Sequence, residues 1–325
     1  FRNKGISMER KKAQIRVLEF IKSRPQFFIL VLMVVILAIT TPKFATAANL
    51  LNILKQVSVI AIISCGLTLV VVSGCLDLSV GSALSLLNVI TAKLQLQNDL
   101  AAVLIPVGIA VLLGLFNGVI ITKFKVNSII VTLGSLSVFG GLALLYTKGA
   151  IIIGKTGTWY SQIAKGELFG IPIHVYLFII LAIVYEFLLK KTKFGRGLIY
   201  VGTNEEAARV AGIKTVLYRL VAFIISAFSV SVAAIILSSR MNSGTPVAGV
   251  GFEFDAVTAI LIGGTSLVGG RGSIVNTVIG VLLLAVLINA LTLYNVPFAF
   301  QNISKGILII LAIIVDVQSR KKYGK

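Results

Sequence analysis

The chain of 325 residues is 57% hydrophobic and only 13% charged, with a mean hydropathy of +1.02 and a formal net charge of +19. These values exclude an ordinary soluble domain, and recurring apolar runs of about 18 residues or more mark a polytopic helical membrane protein. A lipid-facing barrel would need short alternating strands, and one histidine with two cysteines offers no metal cluster.

The first piece, "MERKKAQIRVLEFIKSRPQ", reads as a basic amphipathic helix on the inner membrane surface, stopped by Pro25. Residues 1–26 thus form a cytoplasmic segment, with residues 1–7 ahead of Met8 either native or vector-derived. A cleaved signal peptide is the rival, since Ala45–Ala47 resembles a small-residue cleavage site, but the basic region would be overlong.

In hydrocarbon every backbone group must be satisfied within its own segment, so the apolar runs are expected to be helices and the fold all-α. Spans are expected near 27–41, 53–74, 78–96, 100–122, 127–146, 172–189, 217–238, 254–268, 273–293 and 303–317, about ten in all. The transmembrane domain is then 27–317, with 318–325 a cytoplasmic tail. The first and eighth spans are short, and the eighth, between glycine-rich ends, reads as tilted or partly unwound. Cys65 and Cys75 are expected on one helix about 15 Å apart, too far for a disulfide.

Basic residues orient the spans. With the N-terminus inside, the segments 1–26, 75–77, 123–126, 190–216, 269–272 and 318–325, together with Arg219, hold 22 of the 30 Lys and Arg. The outside loops hold five: Lys43, Lys148, Lys155, Lys165 and Arg240. Lys55, Lys93 and Lys305 lie near outer span ends, where they are expected to snorkel. This bias puts both termini in the cytoplasm. The high charge is therefore a topology signal; nucleic-acid binding would need a soluble basic domain. Two halves of five spans would be inverted relative to one another. "VTLGSLSVFGG" and "LIGGTSLVGG" give that repeat faint support, which small-residue packing alone would also produce.

Within the spans, hydroxyls and amides are common and ionisable residues near mid-membrane scarce. Any single one of these groups most simply bonds a helix carbonyl. As a set they suit a neutral, hydrogen-bonding solute moved by energy from elsewhere, since ion-coupled carriers rely on buried carboxylates. Ser64, Thr68, Asn88 and Ser135 are the candidates for a central route. Two loops bracket it. In "SGCLDLSVGSALS" Asp77 reads as a helix N-cap ahead of Ser79, with Gly74 and Gly81 permitting a tight turn. In "GGTSLVGGRGS" a glycine turn around Gly270 presents Arg271 to the cytoplasm, without the Gly-Lys-Ser/Thr ending of a nucleotide loop.

The segment "VGTNEEAARVAGIKT" is a short capped helix inside the basic loop 190–216. Thr203 and Glu206 fit a T-x-x-E capping box, with Asn204 as the alternative cap and Glu205 beside the positive helix end. Gly212 is a fitting stop. About eight residues do not hold a helix in water, so it must dock. Ala207, Ala208 and Ala211 offer a face without bulk, either toward the protein's own helix ends or toward a partner.

"GCLDLSVGS", "VTLGSLSVFGGLALL", "GRGLIYVGTNEEAARVAGI" and "FDAVTAILIGGTSLVGGRGS" occur in the order and spacing of bacterial ATP-binding-cassette sugar importers. The chain resembles the permease subunit of the ribose/xylose/galactose class from about residue 50 to 317, departing mildly at Cys75, where a second glycine is commoner. The resemblance implies a homodimer in the bacterial inner membrane, in contact with lipid. It also implies a cytoplasmic ATPase subunit that holds ATP and Mg, and a periplasmic or lipid-anchored sugar-binding protein. It implies no catalytic residues and no cofactor on this chain, and no nucleic-acid partner. Glu206-Ala207-Ala208 with Gly212 resembles the coupling-helix motif of such permeases, less its proline-containing tail. The expected substrate is a monosaccharide such as ribose or a similar neutral polyol. Nucleosides, a furanosyl signal molecule and branched-chain amino acids are the alternatives within the superfamily. An ion-coupled secondary carrier and a channel-like facilitator are the alternatives outside it.

Overall fold

The computed structural model describes residues 25–322, so all but the last two residues of the amphipathic segment expected over 1–26 lie outside the described residues. The chain is built from helices: α1 (Pro25–Thr40), α2 (Ala47–Val72), α3 (Val80–Gln95), α4 (Asp99–Lys123), α5 (Ser128–Thr147), the one-turn α6 (Gln162–Lys165), α7 (Ile173–Lys191), α8 (Lys193–Thr203), α9 (Glu205–Val210), α10 (Thr215–Met241), α11 (Phe252–Ile262), α12 (Ile274–Leu293) and α13 (Phe298–Lys322). Four two-residue strands pair as β1 (Ile152–Ile153) with β4 (Ser243–Gly244) and β2 (Glu167–Leu168) with β3 (Ile171–Pro172), both antiparallel.

Among the described residues six helices, α2, α4, α5, α7, α10 and α12, are long and apolar enough to cross a bilayer. The other segments expected to span are shorter: α1 and α3 have 16 residues each, α11 has 11, and the apolar part of α13 is Phe298–Ile314. The eighth expected span ends at Ile262, because Gly264, Gly269 and Gly270 turn the backbone through positive φ before α12 begins. Cys65 and Cys75 do not share a helix: α2 stops at Val72 and Cys75 lies in the following turn, both thiols buried and free.

Helix α2 is the centre of the bundle, buried from Val57 to Val72 save for Ile60, and α10 packs along it. Their contact is close because Gly66 sits against Ser229 and Ser226, where a Cβ would fall 2.3 Å from the Ser229 hydroxyl. Interhelical approach in lipid depends on such small residues rather than on a hydrophobic drive. Between α10 and α11 the backbone runs irregularly over 242–251 along α3, and α3 supplies its partners: Asn88 Oδ1 accepts from Thr245 N–H (3.0 Å) and Ser85 Oγ accepts from Gly249 N–H (2.9 Å). Non-helical backbone inside a membrane bundle is tolerated only with such bonds.

One end of the bundle gathers residues 73–79, α8, α9 and the glycine turn 263–273: Gly270 N–H donates to Val72 O, and Leu76 N–H to Ser128 Oγ. The opposite end gathers 96–98, 148–172 and 241–244, where Gln95 accepts from Lys155 N–H and Tyr160 donates to Ile235 O.

Candidate functional site

At the α9 end the basic loop is more ordered than its sequence suggests. Helix α8 precedes α9, begun by Thr192, whose Oγ1 accepts from Gly195 N–H at 3.1 Å. Gly197 of α8 lies against the Tyr218 ring, which also stacks on Phe194 at 5.5 Å. A Cβ on Gly202 would fall 1.9 Å from Val72 O, and one on Gly269 2.7 Å from Gly74 Cα. Backbone from α2, α8 and the glycine turn therefore meets without side chains between.

Asn204 caps α9, its Oδ1 accepting from Ala207 N–H at 3.0 Å. The capping box expected from Thr203 and Glu206 does not form: Thr203 Oγ1 belongs to α8 and donates to Ile199 O, while Glu206 pairs with Arg209 at 2.8 Å. The helix is six residues long. Gly212, at φ +82°, ends it in a Schellman motif, with Gly212 N–H on Arg209 O and Ile213 N–H on Ala208 O, both 3.0 Å. Glu205 pairs with Arg219 of α10, whose Nε also reaches Ser73 O.

The alanine face divides. Ala208 is buried, 4% exposed, against the chain itself, whereas Ala207, Val210 and Ala211 are open. Beside α9 a cavity of about 530 Å³ is lined by Gly74, Lys125, Ser128, Glu206, Arg209 and Arg219. Arg271, in the glycine turn, is exposed.

A buried polar chain runs inward from this end. Ser135 Oγ donates to Asn117 Oδ1 (2.5 Å), Asn117 Nδ2 to Ser79 Oγ (2.9 Å), and Ser79 Oγ to Asp77 Oδ1 (2.6 Å). Asp77 is not the N-cap itself: it accepts from Ser79 N–H in the turn before α3, and Ser79 holds the cap position. Burial pushes the Asp77 carboxyl above the usual carboxylate range, and the two bonds from Ser79 pull it back. Gly81 is needed one step further on, since a Cβ there would lie 1.9 Å from Glu253 Oε2 and 2.6 Å from Gly249 O.

The four route candidates fall in three places. Ser64 and Thr68 lie between α2 and α12, with Thr68 Oγ1 on Ser64 O at 2.6 Å and 2.9 Å from Thr277 Oγ1. Asn88 serves the segment 242–251, and Ser135 ends the chain to Asp77.

The polar cavity at the other side of the bundle was not anticipated from sequence. It measures about 450 Å³ and is lined by Asn52, Lys55 and Gln56 of α2, Arg240 of α10, Asp255 of α11 and Lys305 of α13, over an apolar wall that includes Phe252. Asn52, Lys55 and Gln56 stand at i, i+3 and i+4 and so share one helix face, a signal the sequence carried. Lys305 does not snorkel but pairs with Asp255 at 2.8 Å. Lys55 lies 3.7 Å from Glu167, Arg240 Nη1 donates to Lys55 O at 3.0 Å, and Lys93 rests over the Tyr146 ring at 4.6 Å. The first turn of α11 also buries a carboxylate. Glu253 is 5% exposed, with Oε1 accepting from Gly251 N–H and Oε2 without a hydrogen-bond partner among the described residues.

Residues 49–315 match the family model described as branched-chain amino acid transport system / permease component. The chain is 34% identical to the ribose import permease protein of Haemophilus influenzae over 95% of its own length and 97% of that protein's. It is 38% identical to the ribose import permease protein of Bacillus subtilis, covering 91% and 92%, and 35% identical to the L-arabinose transport system permease protein of Escherichia coli, covering 87% of each. No solved structure matches it. The chain belongs to this family of ABC transporter permeases.

Proposed function

We propose that this chain is the membrane subunit of an importer that carries a pentose or similar monosaccharide into the cytoplasm. The observation that carries the reading is end-to-end similarity to permeases named for ribose and L-arabinose, joined to a cavity lined by charged and amide side chains over an apolar wall. A permease of this family is a multi-pass inner-membrane protein and no enzyme; it works with a separate ATPase and a substrate-binding protein. ATP and Mg are assigned to that ATPase. No metal site is assigned to this chain, and no group of three or more potential ligands occurs among the described residues.

Both termini are taken to lie inside because 22 of the 30 Lys and Arg fall in the sequence segments assigned to the cytoplasm, a bias that supports this orientation. Ten crossings in two inverted halves are supported by the order of elements. A long helix, an irregular segment, a short helix and two further helices occur as α2, 73–79, α3, α4 and α5, and again as α10, 242–251, α11, α12 and α13. The contacts repeat too, α10 packing on α4 as α2 packs on α12. The homodimer implied by the resemblance to sugar-importer permeases is proposed for this chain as well. The exposed Ala207 and Val210 of α9, with Ala211 at its C-terminal cap, form the seat for the ATPase, and Glu205 with Arg219 holds that seat to the bundle.

The family description favours branched-chain amino acids as the second reading. Binding-protein-dependent ATP hydrolysis in liposomes, measured across pentoses, hexoses and branched-chain amino acids, decides between them. Stimulation by an amino acid alone would replace the sugar.

A further inference from the structure

We propose that the permease carries its own sugar subsite in the 450 Å³ cavity, with the Asp255 carboxylate as the hydroxyl acceptor and Lys305 as its positioning residue. The cavity falls within the ordinary size range of small-ligand sites, roughly 300–1,000 Å³.

Its chemistry matches a polyol. A hydroxyl both donates and accepts, so its host needs acceptors and donors side by side. Asp255 Oδ2 is held by Lys305 Nζ at 2.8 Å, while no protein donor reaches Oδ1 among the described residues. The carboxylate therefore has one oxygen fixed and one unspent, at the mouth of α11, where the positive helix end favours negative charge. Asn52 and Gln56 line the same cavity and make no side-chain hydrogen bond among the described residues, so their amides supply donor and acceptor. Phe252 contributes the flat apolar surface on which the C–H face of a sugar ring packs.

Charge selects the class. Lys305 balances Asp255, Lys55 stands near Glu167, and Arg240, the third cation of the lining, is held by its bond to Lys55 O, so a neutral ligand leaves all three contacts intact. An anion would compete with Asp255 for Lys305, and a cation would compete with Lys305 for Asp255. A subsite of this kind discriminates among sugars a second time, after the binding protein has released its cargo.

This assignment rests on the importer reading, and the test separates the two. The full importer is reconstituted in vesicles, and uptake of labelled ribose and L-arabinose is measured for Asp255→Asn, Lys305→Met, Lys305→Arg and the double variant Asn52→Ala/Gln56→Ala. Loss of a hydrogen bond to a charged group predicts uptake lowered about tenfold in Asp255→Asn, with a changed ribose-to-arabinose ratio. Lys305→Met should follow it and Lys305→Arg should recover most of the rate. The double variant, which breaks no ion pair, should shift the ratio while co-purifying normally with the ATPase. Wild-type rates and ratio in the double variant and in Asp255→Asn overturn the subsite while the importer stands. If Asp255→Asn fails to insert, the double variant decides alone. Wild-type vesicles that take up neither sugar nor any other monosaccharide overturn the importer reading, and the subsite with it.

Discussion

Glu205 of α9 and Arg219 of α10 are joined by an ion pair 2.5 Å long, and the same guanidinium reaches back to Ser73 O at the end of α2. One arginine thus ties the short exposed helix to the two longest helices of the bundle. Arg219→Ala should loosen α9 while leaving the spans intact. An exposed pair alone contributes up to about 1 kcal/mol, and the shared carbonyl raises the effect. Hydrogen exchange over residues 203–214 should speed up several-fold; unchanged protection would show that packing alone seats the helix.

The divided alanine face makes a sharper test. Ala208 is enclosed by its own chain, so Ala208→Trp should lower stability before it touches any partner. Ala207→Trp and Ala211→Trp project outward and should insert normally yet fail to retain the ATPase on co-purification. Normal retention in both would move the ATPase seat away from α9.

Gly212 is a backbone requirement. At φ +82° a residue with a β-carbon costs roughly 1 kcal/mol or more, enough to fray a helix of six residues. Gly212→Val should therefore reduce ATP-coupled uptake while leaving membrane insertion unchanged. Nothing lies within 4 Å of its notional side chain, so the defect would arise from conformation and not from a clash.

Topology is open to direct labelling. Single cysteines at Lys155 and Glu206, both exposed, in a background lacking Cys65 and Cys75, should react from opposite sides of the membrane. Reaction of both from outside would overturn the orientation.

Gly81→Ala should destabilise the bundle by about 1–3 kcal/mol, because the new carbon meets Gly249 O, which is backbone and cannot rotate away. Gly108→Ala in α4, with open space around it, is the control and should be neutral or slightly stabilising. Thermal unfolding in detergent compares them.

The long spans were legible because hydropathy registers them residue by residue, and Gly212 was legible because a C-terminal stop needs its own backbone. Helix α8 was hidden by Gly195, Gly197 and Gly202, which lower helix propensity, yet are required where α8 touches the Leu189 carbonyl, the Tyr218 ring and Val72 O. Thr203 looked like a cap because local spacing cannot tell the last residue of one helix from the first of the next. The polar cavity escaped notice for another reason. Asn52, Arg240, Asp255 and Lys305 come from four helices, and each alone is explained as a helix end or a snorkelling chain.

Where Gly74, Gly202 and Gly269 meet, no rotamer stands between the three strands of backbone. Side chains at most interfaces absorb small displacements by turning about their own bonds. This junction has no such slack. A displacement of α8 would arrive undamped at the end of α2 and at the turn that launches α12, and the bundle would answer as a lever with a bare metal bearing.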